Sequence, residues 1–221
     1  MFRLIENVLG PAEITELKRI AAASDFVDGR VSNPNSRVKN NLQLHDQQAG
    51  DRAAQIMAHG LFQTPEFVDF AFPHQIAPPL MTRYEVGMGY GLHPDSALIP
   101  LHTGPLRSDL SCTLFINDPA DYDGGALHLL LGTAELRFKG PPGSAIVYPS
   151  TTLHQVEPVT KGQRLVGITF IQSRVADTAR RELLYDLNEV AALEGLTMAP
   201  ENFTRLQTVQ ANLYRMWMNT P

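Results

Sequence analysis

Pro142-Gly143-Ser144-Ala145-Ile146-Val147-Tyr148-Pro149, then Leu153-His154-Gln155-Val156, then Lys161-Gly162-Gln163-Arg164, follow one another closely in the second half of the chain. A turn and an apolar strand lead to His154 at the start of the next strand, and a Lys-Gly turn precedes a strand that begins at Arg164. The same rhythm runs outward from this stretch. From about Leu80 to Ser173, short apolar or alternating segments recur at approximately 80–86, 109–116, 126–131, 134–139, 144–149, 152–159 and 164–172, each bounded by Gly, Pro, Asn or Asp. Short strands at near-regular spacing, with turns such as Asp123-Gly124-Gly125 and Gly140-Pro141-Pro142-Gly143, predict an antiparallel sandwich or barrel of jelly-roll type. Residues 37–44 are expected to add a strand.

Helical periodicity appears on both sides of this block. Pro11 opens a helix over 11–24 with Ile14, Leu17, Ile20 and Ala21 on one face, and a second helix over about 49–62 carries Ala53, Ile56, Met57 and Gly60. After Val175 the period returns in Leu183, Leu184, Leu187, Val190 and Leu193, with Asp177 as the N-cap. A last helix follows Pro200 and bears Phe203, Leu206, Val209, Leu213 and Trp217, a stripe suited to core packing or a homodimer contact. The expected organisation is mainly β with flanking helices. A domain spans 1–175 and a helical extension spans 176–221.

Composition narrows the classes of function. With 221 residues, 43% hydrophobic and 19% charged, the chain can bury a sizeable core, which excludes disorder as its main state. Eighteen basic against 23 acidic residues give a net charge of −5 at pH 7, without a run of like charges, so neither nucleic acid nor anionic lipid is an expected partner. The first residues, Met1-Phe2-Arg3-Leu4-Ile5-Glu6, carry charges where a signal peptide needs apolar residues. No apolar run approaches the ~18 residues of a membrane span. Cys112, the single cysteine, sits in Leu110-Ser111-Cys112-Thr113-Leu114-Phe115 and reads as a small buried hydrophobe in a reducing compartment. The expectation is a soluble cytoplasmic protein with no membrane partner.

The chemistry-bearing residues begin with Gly91-Leu92-His93-Pro94-Asp95. On an extended segment, positions i and i+2 face the same side, so His93 and Asp95 can bind one metal ion together. Alone, the pair fits a surface loop equally well. His154, on a neighbouring strand, completes a set of two imidazoles and one carboxylate, the facial triad that suits non-haem Fe(II) and leaves positions open on the metal. A 2-oxo acid can fill two of those positions, and its distal carboxylate then needs a partner deeper in the barrel. Arg164 fits that role because a guanidinium presents parallel N–H groups to a carboxylate. Tyr84, nine positions before His93, is the second donor. The other histidines, His45, His59, His74, His102 and His128, read as solvated or structurally satisfied residues.

With these elements assembled, the sequence resembles the Fe(II)/2-oxoglutarate-dependent dioxygenases of the prolyl-4-hydroxylase type, and within them the bacterial PKHD-type hydroxylases. The resemblance rests on Arg83-Tyr84 through His93-x-Asp95, Asp109-Leu110-Ser111-Cys112-Thr113-Leu114-Phe115, and Asp121-Tyr122-Asp123-Gly124-Gly125. It also rests on Tyr148-Pro149-Ser150-Thr151 with His154, and on Pro158-Val159-Thr160-Lys161-Gly162-Gln163-Arg164. Lys39-Asn40-Asn41-Leu42-Gln43 and the helical tail after Gln172 extend it over nearly the whole chain. It implies a double-stranded β-helix in which His93, Asp95 and His154 hold Fe(II). Arg164, assisted by Tyr84, would bind the distal carboxylate of 2-oxoglutarate, and ascorbate would serve as reductant. The implied reaction hydroxylates a substrate and releases succinate and CO2.

Two features depart from the family pattern. Residues 96–107 form a longer, more apolar link than usual, and Pro94 occupies the middle of His-x-Asp. Both lie at the rim of the site, so the substrate, peptidyl or small molecule, does not carry over. Asn40, Asn41, Gln43 and the 96–107 loop are the expected lining of the mouth. Two other readings stand beside the oxygenase: a cupin-like metal-binding protein without 2-oxoglutarate chemistry, and an inactive oxygenase fold acting as an interaction module. Against the cupin, the His-x-His of its first motif is replaced here by His93-x-Asp95.

Overall fold

The computed structural model describes residues 2–218. Met1 and residues 219–221, the ends of the two expected divisions, lie outside the described residues. In chain order the elements are β1 (Arg3–Ile5), α1 (Pro11–Ala23), β2 (Phe26–Asp28), β3 (Lys39–Asn40), β4 (Leu42–Leu44), α2 (Gln47–Gln63), α3 (Pro65–Ala71), β5 (Pro73–Ile76), β6 (Leu80–Tyr84), β7 (Gly89–His93) and β8 (Leu98–Ile99). There follow β9 (Leu106–Arg107), β10 (Leu110–Phe115), β11 (Tyr122–Gly124), β12 (Leu127–Leu131), β13 (Ala134–Phe138), β14 (Ala145–Pro149), β15 (Leu153–Val156), β16 (Val159–Gly162), β17 (Arg164–Ser173), α4 (Thr178–Glu194) and α5 (Pro200–Trp217).

Two antiparallel sheets carry the architecture. The major sheet has the order β1-β14-β10-β17-β6-β4-β2, with β5 also paired to β17, and the minor sheet has the order β13-β12-β15-β7-β3. They face each other as a jelly roll. Tyr84, Phe115, Leu127, Leu129, Ile146, Tyr148, Val156, Val159 and Val166 pack in its interior. The major sheet is also covered on its outer face, and this explains its sequence. Along β10 the even residues Leu110, Cys112 and Leu114 join the core beneath the helices, while Phe115 joins the interior. β14 divides likewise, Ala145 and Val147 outward, Ile146 and Tyr148 inward. Strands buried on both faces read as near-continuous apolar runs because neither face meets water.

The helices close on that outer face with the residues their periodicity predicts. α1 buries Ile14, Leu17, Ile20 and Ala21, and its Glu13 side chain accepts the Gly10 N–H at 3.0 Å. α2 starts behind Asp46, whose carboxylate accepts the Ala49 N–H at 2.7 Å, and buries Ala53, Ile56, Met57 and Leu61. α2 approaches β17 so closely that a Cβ on Gly167 would stand 2.2 Å from the Met57 sulfur. Asp177 caps α4 as expected, accepting the Arg180 N–H at 2.8 Å.

Several expectations are refined. The strand expected over 37–44 is two strands in different sheets: β3 pairs with β7 of the minor sheet, and β4 pairs with β2 and β6 of the major one. Asn41 is the crossing point. The stretch expected over 152–159 ends at Val156, and after Glu157-Pro158 the chain enters β16, which pairs with β11. The 96–107 link contains the hairpin β8–β9. On α4 the face toward the core is Arg181, Leu184 and Tyr185, so Leu183, Val190 and Leu193 are exposed. On α5, Leu213, Tyr214 and Trp217 pack partly on the same core, and Asn188 Nδ2 of α4 donates to the Tyr214 hydroxyl at 2.6 Å. Among the described residues, no helix is long and apolar enough to cross a membrane.

Cys112 is 2% exposed, and burial pushes its thiol pKa well up. Thiolate attack therefore requires the sheet to open. A chromogenic disulfide reagent is expected to leave the native protein unmodified at neutral pH and to titrate one thiol after denaturation. Rapid stoichiometric reaction of the native protein would contradict this packing.

Candidate functional site

β15 lies between β12 and β7, and its register places His154 directly opposite His93. Residues facing each other across an antiparallel pair share one face, about 5 Å apart at Cβ, and here the two imidazole centroids are 4.3 Å apart. Each ring has its Nδ1 against the backbone carbonyl two residues earlier, His93 on Gly91 O at 2.7 Å and His154 on Thr152 O at 2.9 Å. A carbonyl only accepts, so Nδ1 carries a proton in both rings, which leaves Nε2 as the nitrogen of each that can ligate a metal. Asp95, just past the end of β7, completes the set. Its Oδ1 is 4.0 Å from His93 Nε2 and its Oδ2 is 3.6 Å from His154 Nε2. One ligand atom from each of the three residues lies within 4.8 Å of the others. Burial first, and then the neighbouring His154, push the His93 pKa down to about 4, which keeps its ring neutral and able to ligate at neutral pH.

A chain of serine hydroxyls holds Asp95. Ser111 on β10 donates to Asp95 Oδ2 at 2.5 Å, Ser150 lies 2.8 Å from Ser111, and Ser108 lies 2.7 Å from Ser150. A hydroxyl has one proton, so with Ser111 committed to Asp95 the bond between Ser111 and Ser150 must be donated by Ser150.

Arg164 opens β17 opposite Tyr84 of β6. It is 1% exposed, its guanidinium carbon sits 4.9 Å from the Tyr84 ring centroid, and its Nε and Nη1 have no hydrogen-bond partner among the described residues. The Asp123-Gly124-Gly125 turn makes room for it: Gly125 has φ of 63°, and a Cβ there would stand 3.2 Å from Arg164 Cδ. The Tyr84 hydroxyl accepts from Asn41 Nδ2 at 3.0 Å, and burial raises its pKa against the opposing pull of Arg164. Tyr148 links the two ends of the interior. Its ring meets His154 edge-on at 5.2 Å, and its pKa is raised by burial, then by Asp95, with Arg164 opposing.

All five residues singled out from the sequence line this interior. The remaining histidines do not approach it as ligands. His45, His59 and His102 are exposed, and His128 is buried on the outer side of β12, where it contacts Gln155 at 2.9 Å and Glu135 at 3.2 Å. Of the expected mouth residues, Asn41 is buried beside Tyr84, whereas Asn40 is exposed and Lys39 takes the inward position. Periodicity missed Tyr90. Four residues of β7, Tyr90 to His93, lie against only three of β15, Val156 to His154, and this bulge turns Tyr90 onto the His93 face. The two rings stack at 3.6 Å and 14°.

The comparisons agree with this geometry. The sequence profile of the 2OG-Fe(II) oxygenase superfamily matches residues 79–172. A PKHD-type hydroxylase of Sphingopyxis alaskensis is 60% identical over 217 residues, covering 98% of this chain and 99% of that protein. Among solved structures, a prolyl-4-hydroxylase of Pseudomonas putida aligns over 77% of this chain and 92% of its own at TM-score 0.55 and 18% identity. A prolyl hydroxylase of Trichoplax adhaerens, in complex with a peptide fragment of the hypoxia-inducible-factor oxygen degradation domain, aligns over 82% and 86% at TM-score 0.60 and 17% identity. These two likenesses establish the jelly roll. The relatedness along nearly the full length establishes more: the chain belongs to the PKHD-type hydroxylases of the 2OG-Fe(II) oxygenase superfamily, and is a 2-oxoglutarate-dependent non-haem iron dioxygenase.

Proposed function

We propose that His93 Nε2, a carboxylate oxygen of Asp95 and His154 Nε2 hold the Fe(II) of this dioxygenase, and that Arg164, backed by Tyr84, binds the distal carboxylate of 2-oxoglutarate. The observation that carries the reading is the buried Arg164 guanidinium with two unpartnered N–H donors in the same interior as three converging ligand atoms. An unpaired buried cation is costly, and a carboxylate partner removes that cost. The donor set is right for Fe(II), two imidazoles and a carboxylate with open positions on one side. Bound there, iron and 2-oxoglutarate supply oxidative decarboxylation to succinate and CO2 coupled to hydroxylation of the substrate.

The protein's own residues do the rest. Gly91 O and Thr152 O fix the imidazole tautomers, Ser111 keeps one Asp95 oxygen in place, and Leu129, Ile146, Val156 and Val166 keep the interior dry. Asn41 orients the Tyr84 hydroxyl. The substrate is peptidyl or a small molecule, the former supported by the peptide bound to the Trichoplax adhaerens neighbour. Residues 1–175 form the catalytic unit and 176–221 an appended extension, whose exposed Leu183, Val190, Leu193 and Leu196 are where a homodimer would form. Ascorbate is the reductant that restores Fe(II), and the setting is the cytoplasm. The cupin-like alternative has no observation in its favour.

Two variants test the assignment. Arg164→Ala should weaken 2-oxoglutarate binding by about 3 kcal/mol, roughly a hundredfold, because two charge-assisted hydrogen bonds are lost. Metal content should stay near wild type. Unchanged 2-oxoglutarate affinity by calorimetry on the metal-loaded variant would remove Arg164 from the site. Ser111→Ala frees one Asp95 oxygen and is expected to lower Fe(II) affinity by about tenfold to a hundredfold. An unaltered metal titration would show that the serine chain does not position the ligand.

A further inference from the structure

Lys39 is 8% exposed and stands beside the triad. In the β3–β7 pairing it lies opposite Tyr90, so both side chains share the inward face. Its Nζ is 5.7 Å from the Tyr90 ring centroid, and the Tyr90 ring is stacked on His93. The Gly29–Ser32 turn contributes its one side-chain hydrogen bond among the described residues, from Nζ to Ser32 Oγ at 2.8 Å, and Asn33 Nδ2 reaches the Tyr90 hydroxyl at 3.4 Å. An ammonium has three protons, so two are left without a protein acceptor among the described residues.

Among the described residues, no acid in reach neutralises this charge. Asp28 is engaged by Arg30 through Nε and Nη2, and Asp95 is held by Ser111 and faces the two imidazoles. Neither carboxylate forms an ion pair with Lys39 among the described residues. Both act on it only at longer range, and burial lowers its pKa. The proposed metal site does not help. A divalent metal, the Asp95 carboxylate, the dianion of 2-oxoglutarate and the Arg164 cation cancel one another, which leaves Lys39 as one uncompensated positive charge at the mouth.

Resting on the function proposed above, the geometry points to Lys39 as the anchor of a carboxylate on the substrate, held beside Tyr90 so that a carbon near that carboxylate faces the metal. A monovalent anion matches one ammonium, whereas a phosphate dianion would meet Asp28 and Asp95 with a charge left over. The substrate class is therefore a carboxylic acid, and the corresponding carboxamide is a poor ligand.

The test uses full-length protein loaded with Zn(II), which supports no turnover, and saturated with 2-oxoglutarate. N-acetyl amino acids are compared, each against its primary amide, by ligand-observed NMR. At least one acid should bind about tenfold more tightly than its amide, the difference expected for one charge-assisted hydrogen bond. Lys39→Arg should keep the preference and Lys39→Met should abolish it. The wild-type comparison stands without any variant. Equal binding of acids and amides, including none by either, overturns the proposal, as does a preference that survives Lys39→Met. Loss of 2-oxoglutarate binding in Lys39→Met, with the preference intact, would assign Lys39 to the co-substrate instead. Wild-type protein that binds no 2-oxoglutarate would remove the parent reading along with this one, whereas 2-oxoglutarate binding without an acid preference removes this one alone.

Discussion

The register between β15 and β7 sets His154 against His93, and the rest of the site is built around that pair. Were β15 to slip by one residue, its side chains would exchange faces and His154 would leave the interior. The slip is opposed on both sides. Leu127 and Leu129 of β12 pair with Val156 and His154, so a shifted register would carry apolar side chains into water. The bulge in β7 fixes the other side by admitting Tyr90 to the same face as His93. Two imidazoles 4.3 Å apart would repel each other if both were charged, and burial together with the His154 neighbour holds His93 neutral, the state in which imidazole binds a metal.

Around this pair, the interior is graded from apolar to charged. The apolar wall excludes water, and every polar group within it then interacts more strongly. Asp95 is satisfied by Ser111 and Tyr84 by Asn41, but among the described residues Arg164 is left with two open donor nitrogens and Lys39 with two unused protons. The protein bears these buried charges because the helix-covered outer face of the major sheet supplies a large separate core, from Leu17 and Met57 to Phe67 and Phe70. Stability resides mainly on that face and chemistry on the other. Binding of an anion to the inner face should also stabilise the fold, since a ligand that binds only the native state shifts the unfolding equilibrium.

How much of this was legible in the sequence follows from period and context. The helix caps and the apolar faces of α1 and α2 were readable because local signals and tertiary burial agree there. The strands of the major sheet were readable as apolar runs bounded by turns. His93, Asp95, His154, Arg164 and Tyr84 were readable because their residue types are unusual in such runs and match a family pattern. Tyr90 and Lys39 were not: a two-residue period puts Tyr90 on the face opposite His93, and only the bulge reverses it. Ser111 lies in an apolar strand where a small hydroxyl reads as filler, and its bond to Asp95 spans 16 positions. The exposed positions of α4 were misplaced because its periodic stripe does not coincide with the face that meets the core.

As proposed, His93, Asp95 and His154 hold an iron to which 2-oxoglutarate chelates. The most direct test of this is anaerobic titration of the Fe(II)-loaded protein with 2-oxoglutarate, following the weak visible metal-to-ligand charge-transfer band that bidentate oxo-acid chelation produces. A saturable band is expected in the wild-type protein, and its loss in His154→Ala. Well-loaded wild-type protein without a band, or a His154→Ala variant that keeps it, would contradict the assignment.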